Sequence, residues 1–440
     1  MKEFEKIIEQ IFEYTHEYAV ENLDLKKDNP PSNWTDEEKN KFTEYVHIGF
    51  KKAQELVLDE LLVYEIQIEE LNKTLKQSRR DRNKIVEEDT KKCINLFNYK
   101  TSICRIFMDF IAWQFLGGQY YKIRRFYDMR KKENPRPTLS KSNIESVISA
   151  VAYYHSLSPL NFALISDLTS FIDIGDMLVM DNYQVVPIEV KEGKKNKEIF
   201  DFLFKEKMIK NLETIDESFL KQAKRVLNQA KRGHLLSDVL KNEKGIDPFT
   251  ELKTEVNKEA FKITTYIDEF EKLITNLTVK NYSYTIIEDV ISIGLYQNDM
   301  IHMGDILIPF LNHEMFGKAY PVFNYRQKFQ IPVSEPIFYH GLAKKTIFDI
   351  LFGRINIVMS INLDKFIELC NLQGLNARYL SEKETMSRKK KGEISLFEFE
   401  KKNIMIGDNI LGDGMIVRML FDFVRPSSIV EFLKLQNTKI

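Results

Sequence analysis

The chain has 440 residues, 43% of them apolar, enough for the cores of two or three domains and too many for a disordered or fibrous protein. Charged residues reach 29%, yet 64 Lys and Arg against 65 Asp and Glu leave a net charge of −1, so any nucleic-acid footprint must be a local patch. Three cysteines, none in a CxxC pair or a Cys/His cluster, argue against a disulfide framework and a structural zinc site; a charged N-terminus and no long apolar run make the expectation a cytoplasmic protein with no membrane span.

Between Pro31 and Gly117 there is no proline and one glycine, Gly49, while Thr35-Asp-Glu-Glu38 has the form of a capping box, so this stretch is predicted to be almost all helix. From Leu61 the heptad positions a (Leu61, Ile68, Leu75, Arg82) and d (Tyr64, Leu71, Ser78, Ile85) are apolar except Arg82 and Ser78. The seam is short for a coiled coil; an intramolecular helical hairpin is expected, with a homodimer through the same seam as the alternative. Residues 117–141 then carry eight cations against Asp128 and Glu133, a local charge of +6 interleaved with Tyr120, Tyr121, Phe126 and Tyr127. Cations for phosphates and rings for bases suit a nucleic-acid groove, with Lys122, Arg124, Arg125 and Arg130 as candidate contacts. The other reading is an amphipathic helix packed by its tyrosines.

Asn134-Pro-Arg-Pro137 reads as a break that closes a helical N-terminal region, 1–137. Beyond it the pattern is α/β: a helix from Ser142 to about His155, strands near 172–180 and 184–191, a charged helix within 200–232, and β-branched stretches at 282–296. This sets a central domain at 138–298 and an α+β module of unknown role at 299–440.

The informative segment is Phe171-Ile-Asp-Ile-Gly-Asp-Met-Leu-Val-Met-Asp-Asn-Tyr-Gln-Val-Val-Pro-Ile-Glu-Val-Lys-Glu-Gly193. Two apolar strands flank the turn dipeptide Asp181-Asn182, so the unit is a β-hairpin. In the second strand Val186, Ile188 and Val190 share one face, and Glu189 and Lys191 the other. Pairing brings Asp176 to the same end of the sheet as Glu189. Two carboxylates there suit Mg²⁺ or Mn²⁺, with water and phosphate completing the shell, and a neighbouring lysine offsets charge on a phosphate under attack. Pro187 sits uneasily in a central strand and marks a bulge or the strand's start. The alternative is a surface hairpin whose outward residues happen to be Glu and Lys.

The pattern resembles the PD-(D/E)XK nuclease superfamily, over roughly residues 138–298. The resemblance implies an α/β restriction-endonuclease-like core (αβββαβ), here flanked by an all-α N-terminal region and an α+β C-terminal module. It implies a nuclease hydrolysing phosphodiester bonds, of DNA ahead of RNA, with Asp176 and Glu189 as metal ligands and Lys191 as the catalytic lysine. Related enzymes carry a Gln or Lys on the next helix, a place that Gln222 or Gln229 takes here; Gln222 is assigned to the site. Glu145 and Asp173 are further acids; Ser142-Asn-Ile-Glu145 also reads as a capping box. Such architectures are similar to bacterial restriction and anti-phage proteins, which can pair two active sites or answer to a regulatory partner protein. The competing class is a non-catalytic nucleic-acid-binding or scaffolding protein that keeps the fold. No P-loop, dinucleotide, zincin or serine-hydrolase string is present.

Overall fold

The computed structural model describes residues 2–23, 31–128, 138–181, 184–191, 198–199, 217–251, 253–255, 263–297, 322–331, 333–390, 403–407 and 409–437. It is mixed helix and sheet in two compact units, Met1–Asn257 and Lys258–Ile440.

In the first unit α1 (Lys2–Phe12) runs through a π-helical turn at Glu13–Glu17 into α2 (Tyr18–Asn22). The expected capping box forms: the Glu38 amide donates to the Thr35 hydroxyl at 3.2 Å and the Thr35 amide to Glu38 Oε2 at 2.7 Å, opening α3 (Asp36–Arg80). A turn with Arg82 at φ 54° and an Asn83 cap reverses the chain into α4 (Lys84–Phe115), so α3 and α4 are a hairpin. Leu61, Tyr64, Leu75 and Ser78 are buried on the seam, and the Ser78 hydroxyl is satisfied by the Leu75 carbonyl at 3.0 Å. Ile85, the last predicted d position, is 75% exposed because the turn at Arg82 ends the helix and resets its register.

A short helix α5 (Tyr120–Ile123) follows, then α6 (Ile144–Leu157) and a three-stranded antiparallel sheet. Its strands are β1 (Ala163–Ile165), β2 (Met177–Asp181) and β3 (Gln184–Ile188), in the order β1-β2-β3. Helix α7 (Glu217–Asn242) packs on β3 and leads into a separate hairpin of β4 (Lys244–Ile246) and β5 (Lys253–Glu255).

The predicted boundary at 137/138 does not separate two bodies. The helical hairpin is stitched to the sheet by buried side chains. Gln54, 3% exposed, donates to the Ala163 carbonyl at 3.1 Å and accepts from the Ile165 amide at 2.8 Å, covering the outer edge of β1 as a strand would. Asp109 accepts from the Ser170 amide and hydroxyl at 2.7 and 2.6 Å, Arg105 donates to the Thr169 carbonyl at 2.8 Å, and Glu65 accepts from the Leu139 amide at 2.8 Å. The predicted 134–137 break lies outside the described residues.

The boundary expected at 298 moves as well, to 257/258. In the second unit, α8 (Ile267–Leu277) precedes β6 (Tyr282–Ile287) and β7 (Ile291–Gln297). These strands belong to a four-stranded sheet, order β6-β7-β9-β8, with β8 (Val322–Asn324) and β9 (Ile355–Ile361). All seven residues of β7 pair with β9, so the stretch read as closing the central domain is the core of the other unit. The first unit thus presents αβββα followed by a short separate hairpin, and the sixth element of the expected αβββαβ is absent from its sheet among the described residues.

The second unit continues with α9 (Lys344–Leu351), α10 (Leu363–Leu372), a small sheet of β10 (Ala377–Tyr379), β11 (Ile404–Ile406) and β12 (Asn409–Ile410), and helices α11 (Glu382–Lys390), α12 (Asp413–Phe421) and α13 (Pro426–Asn437). Its interior holds an ion pair. Lys328, 3% exposed, reaches Asp422 at 3.2 Å and His340 Nε2 at 3.1 Å and donates to the Phe421 carbonyl. The Glu335 amide donates to the same Asp422 carboxylate at 3.0 Å. Among the described residues no helix is long and apolar enough to cross a membrane.

Candidate active site

The hairpin meets at Gly175. Its φ of +83° turns the chain into β2, and a Cβ there would lie 2.9 Å from Pro187 Cβ and 3.1 Å from the Ile188 amide, so only glycine lets β3 approach this closely. The Asp176 amide donates to the Ile188 carbonyl at 2.8 Å, and β2 pairs β3 from Met177↔Ile188 to Asp181↔Gln184. Strand β2 begins later than predicted because Phe171, Ile172 and Ile174 are buried as a loop. Pro187 raises no conflict: among the described residues β3 is an edge of the three-stranded sheet, where a missing N–H is tolerated.

Asp176 and Glu189 flank the paired strands, as their sequence positions predict, and their backbones and carboxylates interlock. The Val190 amide donates to Asp176 Oδ2 at 2.6 Å, and the Gly175 amide to Glu189 Oε1 at 3.3 Å. Lys191 Nζ lies 3.0 Å from Glu189 Oε2, and both side chains are about a quarter exposed, 27% and 26%. Gln229, on α7, closes the cluster: its Oε1 accepts from Lys191 Nζ at 2.7 Å and its amide donates to Glu189 Oε2 at 3.3 Å. Burial, and then the charge of Glu189, push the Asp176 carboxyl above its ordinary value; the Val190 amide, Lys191 and Asn143 oppose the shift.

Gln222 lies two turns before Gln229 on the same helix, about 10 Å along its axis. The glutamine seen on Glu189 and Lys191 is Gln229, beside the assigned Gln222. Asn143 is the member that the sequence reading missed. Its amide donates to the Val190 carbonyl at 3.1 Å and also bonds the Asp176 carboxylate. The string Ser142-Asn-Ile-Glu145 drew attention to its outer residues, but the predicted box does not form. The Ser142 hydroxyl donates to the Leu139 carbonyl at 2.8 Å, and Glu145 is exposed. An asparagine at a helix start was itself the signal, used here on the sheet instead of the helix. Asp173 accepts from the Asp128 amide at 2.9 Å, a bond that ties the loop before β2 to residues 126–128.

The donor set suits a hard, water-rich ion. Two carboxylates, one raised by burial and then by the other's charge, are what Mg²⁺ or Mn²⁺ binds when water and phosphate complete the shell. Among the described residues no group of three or more His, Cys, Asp or Glu is placed to hold a metal by itself.

The basic segment is largely committed elsewhere. Arg125 pairs with Asp247, 4% exposed, and with the Thr254 hydroxyl, locking the β4–β5 hairpin to the unit. Burial raises the Asp247 carboxyl, but hydrogen bonds from the Thr250 amide and Arg125 outweigh it and hold it below its usual value. Arg124 folds onto the Tyr127 carbonyl at 3.1 Å. Lys122 lines a cleft of about 420 Å³ with Lys241 and Asp238, beside Val185 and Val186 of β3. Arg130 lies outside the described residues. No protein-family model, curated protein or solved structure matches this chain.

Proposed function

We propose that the chain is a divalent-metal-dependent nuclease whose site is Asp176, Glu189 and Lys191, acting on DNA ahead of RNA. The observation that carries the reading is the meeting of these three side chains at one end of the β2–β3 hairpin, with Gln229 bound to two of them. Mg²⁺ or Mn²⁺, when bound, would supply Lewis acidity toward the scissile phosphate. Asp176 and Glu189 would hold that ion. Lys191, oriented by Glu189 and Gln229, presents its ammonium to the negative charge that develops on the phosphoryl oxygens. Asn143 fixes the Asp176 carboxylate against the Val190 carbonyl. Lys122, whose ammonium lies 5.8 Å from the Tyr121 ring in the wall of the cleft beside β3, meets the substrate backbone.

The test is cleavage of plasmid, linear duplex, single-stranded DNA and RNA with Mg²⁺, Mn²⁺ or EDTA, beside Mn²⁺ calorimetry. Metal-dependent cleavage lost in Asp176→Ala, Glu189→Ala and Lys191→Ala, with Mn²⁺ binding lost in the first two, supports the assignment. Cleavage unchanged in all three rejects it. One observation favours the non-catalytic alternative: both Glu189 oxygens and Asp176 Oδ2 already accept from the protein's own donors. That class predicts no Mn²⁺ binding by the wild type, whereas an enzyme gated by a partner still binds the ion.

A further inference from the structure

The cleft of about 420 Å³ that holds Lys122 is built on the same two elements as the Asp176 site, α7 and β3, which pack together. From Gln229 to Ser237, in the cleft wall, is about 12 Å along the helix axis. From Glu189 back to Val186 and Val185, also in the wall, is about 10–13 Å of extended chain. Site and cleft thus share one groove. The distance between them is about four phosphates at the rise of a duplex strand, and fewer in a stretched one.

The wall of the cleft has two characters. Phe115, Leu116, Val185, Val186 and Leu240 are apolar, and Lys122, Lys241 and Ser237 supply two cations and a hydroxyl. Two acids stand close by. Asp238, in the wall, turns along α7 to His234 Nε2 at 3.4 Å, and Glu243 accepts from the Tyr121 hydroxyl at 3.4 Å. Neither sets the state of Lys122, because burial alone draws its pKa down and no carboxylate charge opposes that shift. A partly desolvated ammonium gains from an incoming anion what water no longer gives it. The apolar wall asks for something else. A duplex keeps its bases paired and shows only their edges in the grooves, whereas an unpaired base brings a broad face to such a wall.

We propose that this cleft receives an unpaired nucleotide of the bound DNA strand, its base against the apolar wall and its phosphate on Lys122 and Lys241. The inference rests on the nucleic-acid reading of the Asp176 site and narrows the substrate to single strands and to duplexes with unpaired ends.

Three labelled probes of one length separate these parts: an oligothymidylate of about twenty residues, an abasic strand and a blunt duplex. Each is titrated with the full chain by fluorescence anisotropy in EDTA, where metal-dependent cleavage cannot intervene. The thymidylate strand is expected to bind saturably and about tenfold tighter than the abasic strand, the worth of one base held against a side-chain wall. It should also bind tighter than the blunt duplex. Joint Lys122→Ala and Lys241→Ala substitution should flatten the salt dependence for the single strand, its log–log slope falling in magnitude by about 1.4 for two lost phosphate contacts. Leu240→Gln should shrink the advantage over the abasic strand. Absence of saturable thymidylate binding overturns the proposal, and so does equal binding of the abasic strand or of the duplex, with no variant needed. A salt slope unchanged in the double variant, or an advantage intact in folded Leu240→Gln, overturns it too. A wild type that prefers the single strand yet cleaves nothing with Mn²⁺ keeps this site and loses the nuclease reading. One that cleaves blunt duplex, and binds it as tightly as the single strand, does the reverse.

Discussion

Asp176 carries a stability cost, and in the proposed site a metal-holding role, that a single atom exchange isolates. Its folded pKa lies above the unfolded one, so the native state holds the proton more tightly, and its contribution to stability falls as pH rises out of the ordinary carboxylate range. Asp176→Asn keeps an oxygen for the Val190 amide and removes the buried charge facing Glu189. We expect the variant to melt at a higher temperature than the wild type at pH 7, with the gap closing near pH 3, and to lose Mn²⁺ affinity; equal melting across that range would show that the burial is inconsequential. Arg125 makes the contrasting case. The basic-aromatic pattern suggests a nucleic-acid groove, but the partner of Arg125, Asp247, is buried, so Arg125→Ala leaves a carboxylate without its cation. The expected loss is about 3 kcal/mol in urea unfolding. Lys122→Ala should cost under about 0.5 kcal/mol. If Lys122 meets a phosphate, that variant also lowers the salt slope of DNA binding by about 1.

Helix α3 shows what one element's neighbours decide. Its heptad seam was legible residue by residue, since Leu61, Tyr64 and Leu75 are spaced to face a partner helix. That the partner is α4 of the same chain follows from the turn at residues 81–83, where Arg82 takes a left-handed conformation. The glycine of this helix has the opposite character. In isolation Gly49→Ala should gain about 1 kcal/mol of helix propensity. Here the added carbon would meet a backbone oxygen at 2.2 Å, and a main-chain atom cannot step aside as a flexible side chain would. Overpacking is expected to win, with a net loss of about 1–3 kcal/mol read from chemical unfolding; a stabilised variant would show that the π turn yields easily.

At the scale of the whole molecule, each unit carries its own buried polar contacts. The first joins helices to sheet edges through buried side-chain hydrogen bonds, of which Gln54 makes two. The second buries the Lys328–Asp422 pair, and burial with the Asp422 charge pushes Glu335 up to about 7 from an ordinary 4.5. Because the folded value is the higher, the native state binds more protons between those limits, and the Glu335 contribution to stability falls as pH rises from 4.5 to 7. His340, held neutral by burial and Lys328, works in the other direction, so the wild-type profile mixes the two. The difference between wild type and Glu335→Gln isolates one of them. It should shift in favour of the variant from pH 5 to pH 7.5 by urea midpoint, and a pH-independent difference would remove Glu335 as a titrating group.

Local chemistry was readable wherever it depends on neighbours in sequence. The Thr35 capping box, the β2–β3 hairpin and the proximity of Asp176, Glu189 and Lys191 all follow from spacing, because a helix turn or a strand alternation converts sequence distance directly into geometry, whereas the turn at Arg82 that ends the predicted heptads does not. What spacing cannot encode is which distant segment arrives at a given face. The contact of Gln229 with Lys191, Asn143 from the start of α6, the pairing of Arg125 with Asp247, and the assignment of residues 282–297 to the second sheet are each settled by contacts across tens to more than a hundred residues. Such contacts depend on how whole elements pack, and a residue's type alone does not reveal its partner.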